Sequence, residues 1–282
     1  DDGSTWFDVG PVSDVSPQLL AADTTTRVYF EPAADFTGTI SDVISFKAWD
    51  RNFVWQQLGL DIDGEAAGDN AGSAVSISAD GRVIAVGAYL NDENGSDSGH
   101  VRIYSWDGST WNQLGDDIDG NEPLDYFGYD VSLSADGQTV AIGAKYIASD
   151  NNGTDAGQVR IYSWDGFIWN KLGDDIDGEA SHDHSGQSVS LSTDGRTIAI
   201  GAPLNDGNGT HTNYNSGHVR IYSWDGSVWN KLGDDIDGEA EGDRSGWSVS
   251  LSADGRTVAI SAERNGGNGI DSGHVRIYSW DG

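Results

Sequence analysis

The stretch WNKLGDDIDGEASHDHSGQSVSLSTDGRTIAIGAPLNDGNGTHTNYNSGHVRIYSWDGSVWNKLG, Trp169 to Gly233, closes on the five residues with which it opens. The opening tryptophan recurs at Trp55, Trp111, Trp169 and Trp229, at spacings of 56, 58 and 60 residues. A fixed period of that length marks a repeat architecture, in which each unit buries its apolar surface against its neighbours. Four strand signals follow one another within the stretch. SVSLS alternates apolar and polar residues and meets RTIAIGA across Asp194-Gly195, a dipeptide that also stands at Asp80-Gly81, Asp136-Gly137 and Asp254-Gly255. Asp-Gly between apolar runs predicts a two-residue hairpin. TIAIGA is almost wholly apolar, as in a strand covered on both faces, whereas HVRIYSW alternates and passes through Asp225-Gly226 into WNKLG. The unit reads as a four-stranded antiparallel meander.

Such units, repeated along a chain, build β-propellers, with a stacked solenoid as the competing arrangement. The phrase YSWDG suggests a WD40 repeat, but that period is about 40–45 residues and the spacing here is longer. The two ends of the chain complement each other. Residues 274–282, HVRIYSWDG, stop before their fourth strand, and residues 1–10, DDGSTWFDVG, match the fourth-strand phrase DGSTWNQLG of 107–115. The expected fold is therefore all-β, a five-bladed β-propeller closed by the N-terminal strand. Residues 1–10 are the closing strand, 16–60 a divergent blade, 72–116, 128–174 and 186–234 regular blades, and 246–282 the last blade. A rival reading of the divergent segment is that FEPAADFTGTISDVISFKAWD resembles the closing strands of cadherin-like adhesin repeats.

Asp and Glu total 46 against 15 Lys and Arg, a net charge of −31 in 282 residues. That balance disfavours nucleic acid and anionic membrane surfaces as partners and favours cations. It also makes the compact state repel itself, so screening salt or bound divalent ions are expected to help it. There is no cysteine, which removes disulfides and thiol chemistry. No apolar run reaches the roughly 18–20 residues of a membrane helix, and Asp1 opens the chain without a charged-then-apolar leader, as in a mature fragment or excised piece.

Phe127-Gly128 in DYFGYDVSLSADG and Gly201-Ala202-Pro203 in TIAIGAPLND resemble the two signature phrases of the FG-GAP repeat of integrin-α-type β-propellers, as found in large bacterial surface adhesins. The resemblance covers about 55–282 well and 1–54 loosely; other copies relax the phrases to AGSAV, SGQSV and SGWSV, and to GAY, GAK and SAE. It implies a calcium loop between the first two strands. Here Ser76, Ser78 and Ile84 stand at three of that loop's carboxylate positions, so the inherited site is expected to be lost.

A second acidic run offers candidate metal ligands. Its copies are Asp61, Asp63 and Glu65; Asp117 and Asp119, with Asn121; Asp175, Asp177 and Glu179; and Asp235, Asp237 and Glu239. A further acid follows at Asp69, Asp125, Asp183 and Asp243. In extended chain, residues two apart share a face, so each run is expected to present its carboxylates together while Ile62 and its counterparts turn inward. The metal reading is a Ca2+ cradle of hard oxygen ligands, and the bland one is a solvated loop. The loops 91–99 and 205–217 are acidic and glycine-rich, and in an up-and-down blade they emerge on the same face as the acidic runs. That variable face is the expected binding surface.

His182 and His184 suggest a metal pair but are more simply solvent-exposed. Tyr104, Trp106, Tyr278 and Trp280 could stack on sugars, yet their repetition favours packing between blades, where Arg102, Arg160, Arg220 and Arg276 would pair with acids or aromatics. Carboxylates repeated in every unit are unlike an active site, which needs distinct groups converging once. The expected function is a non-catalytic extracellular or cell-surface module, a monomeric domain of a larger chain, binding a glycan or protein with help from Ca2+. A structural spacer is the alternative, and a propeller glycoside hydrolase a more distant one.

Overall fold

The alternating phrase that opens each repeat forms a short first strand, and the apolar phrase beyond Asp-Gly forms the second. The computed structural model describes residues 55–147, 152–207 and 215–282. The closing strand expected at 1–10 and all but the last residues of the divergent blade expected at 16–60 lie outside the described residues. Residues 56–282 form one unit.

The first sheet contains β1 (Ala74–Ile77), β2 (Val83–Ala88), β3 (His100–Trp106), β4 (Trp111–Gln113) and β5 (Ile118–Asp119). The second contains β6 (Asp130–Leu133), β7 (Thr139–Ala144), β8 (Gln158–Trp164), β9 (Trp169–Lys171) and β10 (Ile176–Asp177). The third contains β11 (Ser188–Leu191), β12 (Thr197–Ala202), β13 (His218–Trp224), β14 (Trp229–Lys231) and β15 (Ile236–Asp237). The last has three strands, β16 (Ser245–Leu251), β17 (Thr257–Ala262) and β18 (His274–Ser279). All pairings between these strands are antiparallel, and the register repeats: Val83 faces Ser105, Thr139 faces Ser163, Thr197 faces Ser223 and Thr257 faces Ser279. The described residues thus give an all-β fold of four repeated antiparallel sheets. Among them no helix is long and apolar enough to cross a membrane.

Two local details differ from the sequence expectation. The fourth strand is split, because WNQ and its copies pair with one end of the third strand while Ile-Asp pairs with the other, as with β4 and β5 on β3. The intervening Leu-Gly-Asp-Asp leaves the ladder at Gly115, whose φ is 81°. The Asp-Gly turn also spans more than two residues. Ser78 N donates to Val83 O, leaving Ala79–Arg82 as the connection. Side chains close it: the Ser78 hydroxyl donates to Asp80 Oδ1 at 2.7 Å and accepts from Val83 N at 2.9 Å. The same serine-to-aspartate bond recurs at Ser134, Ser192 and Ser252.

The apolar core lies between successive sheets. Ala74, Val101 and Ile103 of the first pack with Phe127, Val131, Leu133, Val140 and Ile142 of the second, and the pattern continues along the chain. Polar bonds fix the spacing of the first strands. Leu133 N donates to the Ser76 hydroxyl at 2.9 Å, Leu191 N to that of Ser132 at 3.0 Å, and Leu251 N to that of Ser190 at 3.0 Å. At the outer end, the indole N–H of Trp111 donates to Leu58 O, that of Trp169 to Leu114 O and that of Trp229 to Leu172 O. The end strands differ from their counterparts. Val75 and Ile77 of β1 are 61% and 57% exposed, where Val131 and Leu133 of β6 are 5% and 8%; Val275 and Ile277 of β18 are 64% and 71% exposed.

Candidate functional site

The loops after the second strands and the linkers after the fourth meet at one end of the sheets. Leu124, Tyr126 and Phe127 donate their backbone N–H groups to Ser96, Asp97 and Ser98, and His182, His184 and Ser185 do the same to Thr154, Asp155 and Ala156. This is the shared face expected from the up-and-down order.

A buried aspartate anchors each linker. Asp69 accepts from Ala66 N at 3.0 Å and from the Asn91 amide at 3.1 Å. Asp183 is held in the same way by Ala180 N and Asn205, and Asp243 by Ala240 N and Asn265. Asp125 accepts from Asn121 N and Glu122 N, each at 3.0 Å. Burial pushes the carboxyls of Asp125 and Asp183 above the usual range. Asp69, Asp183 and Asp243 thus tie two loops together, and Asp125 closes its own linker.

The residue after each anchor takes a left-handed backbone: Asn70, Tyr126, His184 and Arg244 have φ of 55°, 51°, 57° and 57°. Leu124 and His182 are left-handed as well, where the other repeats hold Gly68 and Gly242. A non-glycine residue there costs about 1–2 kcal/mol, which persists only where the surroundings impose the turn. The repeated backbone therefore presents different side chains at equivalent places. Beside the Asn70 series stand Tyr89, Lys145, Pro203 and Glu263 at one position, and Ser73, Tyr129, Gln187 and Trp247 at another.

At the junction of the first two sheets these positions create a concave site of about 730 Å3 lined by Tyr89, Tyr126, Tyr129, Lys145 and Tyr146, with Glu122 and Asp155 at its margin. The rings form a continuous series. Centroids lie 5.4 Å apart for Tyr89 and Tyr129, 5.9 Å for Tyr89 and Tyr126, and 5.0 Å for Tyr126 and Tyr146. Lys145 Nζ sits 3.5 Å from the Tyr129 ring centroid and donates to Gln187 Oε1 at 2.8 Å. Burial lowers the pKa of this ammonium and raises those of Tyr126 and Tyr146. His184 packs edge-on against Tyr146 at 4.8 Å, and burial with Lys145 nearby pushes its pKa down to about 4, so it is neutral at pH 7. His182 faces solvent 3.2 Å from Asp155, so the two histidines serve different surroundings.

The structure distributes the acidic runs over several partners. Asp61 accepts from the Gln57 amide, the Asp63 carbonyl accepts from Arg102 at 2.8 Å, and Glu65 turns toward the first sheet, 3.3 Å from Arg102 Nη1 and 3.8 Å from His100 Nδ1. Asp117 lies 3.5 Å from the same His100 nitrogen, and Asp119 faces His100 across the β3–β5 ladder. Asp175 pairs with Lys171 and Arg160, and Asp177 accepts from the Gln158 amide at 2.7 Å. Glu179 lies 3.6 Å from Arg220, Asp235 pairs with Lys231 at 2.6 Å, the Asp237 carbonyl accepts from Arg276, and Glu239 approaches His274 and Arg276. Burial raises the pKa of Asp119 and Asp237.

Among the described residues two groups bring three or more ligand-type atoms within 4.8 Å of one another: Glu65, Glu93, His100 and Asp117, and Glu179, His218 and Asp235. Each combines two consecutive repeats. Neither is a single acidic run presenting one face. The sequence reading also missed the histidines, although His100, His218 and His274 open three equivalent third strands.

The recurrent aromatic and basic residues meet within a sheet: Trp106 and Trp111 pair across β3 and β4 with centroids 5.3 Å apart, and Arg102, Arg220 and Arg276 each lie over the tyrosine two residues on in the same strand. Arg160 lies 5.2 Å from the ring centroid of the fully buried Phe127.

The FG-GAP repeat family matches residues 61–104, 118–162 and 176–222. No match was found among curated proteins. Among solved structures, the chain is similar to a candidate 6-phosphogluconolactonase from Bacteroides uniformis, at 12% identity and a TM-score of 0.48 over 75% of this chain and 54% of that one. It is also similar to the hydrazine synthase of Kuenenia stuttgartiensis, at 16% identity and a TM-score of 0.46 over 73% of this chain and 58% of that one. This chain spans little more than half the length of either, and likenesses this low carry nothing about activity. The repeated antiparallel sheets and the family match define a protein of the β-propeller type. The chain belongs to the FG-GAP repeat family.

Proposed function

We propose that this chain is a non-catalytic extracellular recognition module that takes a carbohydrate in the tyrosine cradle of its loop face. One observation carries the reading: an open concave site of about 730 Å3 lined by four tyrosines and a lysine at the junction of two sheets. Tyrosine rings offer apolar faces to sugar C–H groups while their hydroxyls, Lys145 and the marginal carboxylates meet sugar hydroxyls. Among the described residues these four tyrosines and the lysine come together at one junction, where the repeat is broken, as a specific site requires. The carboxylates of the described acidic runs are instead spread over repeated ion pairs and loop anchors, which supports recognition over catalysis.

The reading places the domain at a cell surface, within a larger adhesin-like chain, with Ca2+ assisting at acidic loops. It also takes the propeller as five-bladed, with residues 1–10 supplying a fourth strand beside β18. The three-stranded last sheet and the exposed Val275 and Ile277 support that closure. The test is a glycan array probed with the full chain, in Ca2+ and in chelator, followed by Tyr126→Ala and Tyr146→Ala. Binding lost in both variants is expected. Reproducible silence in both conditions would favour the spacer, and binding indifferent to chelator would remove Ca2+ from the proposal.

A further inference from the structure

We propose that Glu65, Glu93, His100 and Asp117 form a binding site for one divalent first-row transition ion at the loop end of β3, an inner strand of the first sheet. His100 opens β3, Asp117 immediately precedes β5 on the same strand's ladder, Glu93 comes from the loop after β2, and Glu65 arrives on the linker that enters the sheet. One ligand atom from each lies within 4.8 Å of all the others. The imidazole is 1% exposed and neither of its nitrogens has a hydrogen-bond partner, while Nδ1 lies 3.5 Å and 3.8 Å from the Asp117 and Glu65 carboxylates. A buried imidazole without a hydrogen-bond partner, aimed at three carboxylates, is costly unless something occupies the space between them.

Charge separates this group from its relatives. The three carboxylates have one cationic partner among them, Arg102 beside Glu65, which leaves two carboxylates without a basic side chain next to the imidazole. In the Glu179, His218 and Asp235 group, Lys231 and Arg220 already balance both acids. At the second sheet Gln158 stands where His100 does, and Lys171 pairs with Asp175. The amide of Gln113 on Asp117, in place of those lysines, orients the carboxylate without neutralising it. A nitrogen donor among oxygens suits Zn2+, Mn2+ or Co2+ and is outside the all-oxygen preference of Ca2+ and Mg2+. The site is independent of the carbohydrate reading and of any calcium at the loops.

The experiment is titration of the chelator-treated full chain with Zn2+ in millimolar Ca2+, against a chromophoric competitor, with Co2+ as a spectroscopic probe. One equivalent of Zn2+ is expected to bind, with Co2+ giving visible ligand-field bands. His100→Gln, which copies the residue at Gln158, is expected to weaken Zn2+ at least tenfold, Glu93→Gln to weaken it less, and His218→Gln to leave it unchanged. Failure of the wild type to bind Zn2+ in the presence of Ca2+ would overturn the proposal. Equal binding by wild type and His100→Gln would do so too, since the acidic surface would then be the ligand.

Discussion

Gly173 carries two requirements at once: its φ is 80°, and an added Cβ would lie 2.7 Å from the indole of Trp224. Trp224 belongs to the next sheet, so the glycine sets how closely two units approach. Gly173→Ala is expected to destabilise by about 2–3 kcal/mol, combining left-handed strain with a displaced ring, and urea denaturation would measure it. Asp130 shows the opposite balance. It accepts from Val131 N at 3.0 Å and Val189 N at 2.7 Å, yet burial raises its pKa to about 6. The folded chain then holds a proton that the unfolded chain releases near pH 4, so this group's contribution to stability falls as pH rises between about 4 and 6. Asp130→Asn is expected to gain about 2 kcal/mol relative to wild type between the two ends of that window, read from denaturation at pH 4 and pH 7. The residues of the tyrosine cradle were the least legible at this scale. Tyr126, Tyr129, Lys145 and Tyr146 are departures from the repeat, and a consensus discards departures. Their signal was present in the alignment of one repeat on another, as four unlike residues at positions whose neighbours scarcely vary.

The strands themselves were legible because alternation, apolar runs and Asp-Gly all report on local backbone. What escaped were features set by partners far along the chain. The fourth strand is divided because its two halves answer to opposite ends of the third, and Glu65 leaves its own acidic run because Arg102, 37 positions later, draws it to the next sheet. Serines within the first strands do similar work between elements. Ser132→Ala leaves Leu191 N without its 3.0 Å acceptor and is expected to cost about 1 kcal/mol, seen as a lower denaturation midpoint and faster amide exchange at Leu191. The Ser–Asp bonds that close the tight turns are short and local, so Asp80→Ala is expected to loosen that turn without disturbing binding at the opposite loop face.

Over the whole molecule a net charge of −31 opposes compactness. Raising NaCl from 10 to 500 mM is expected to raise the melting temperature, because screening weakens a repulsion far larger than the few surface ion pairs it also weakens. A falling melting temperature would show the ion pairs to dominate.

The sequence repeat and the sheet are out of phase: the tryptophan that opens a repeat closes one sheet, while its linker enters the next. Indole-to-leucine, arginine-to-carbonyl and serine-to-backbone bonds all cross between sheets. A duplication cut at any Trp–Leu–Gly phrase would therefore insert a sheet with both of its contact surfaces already matched. Arrays of this kind can lengthen by whole repeats without inventing a new interface, leaving the left-handed loop positions free to diversify afterwards.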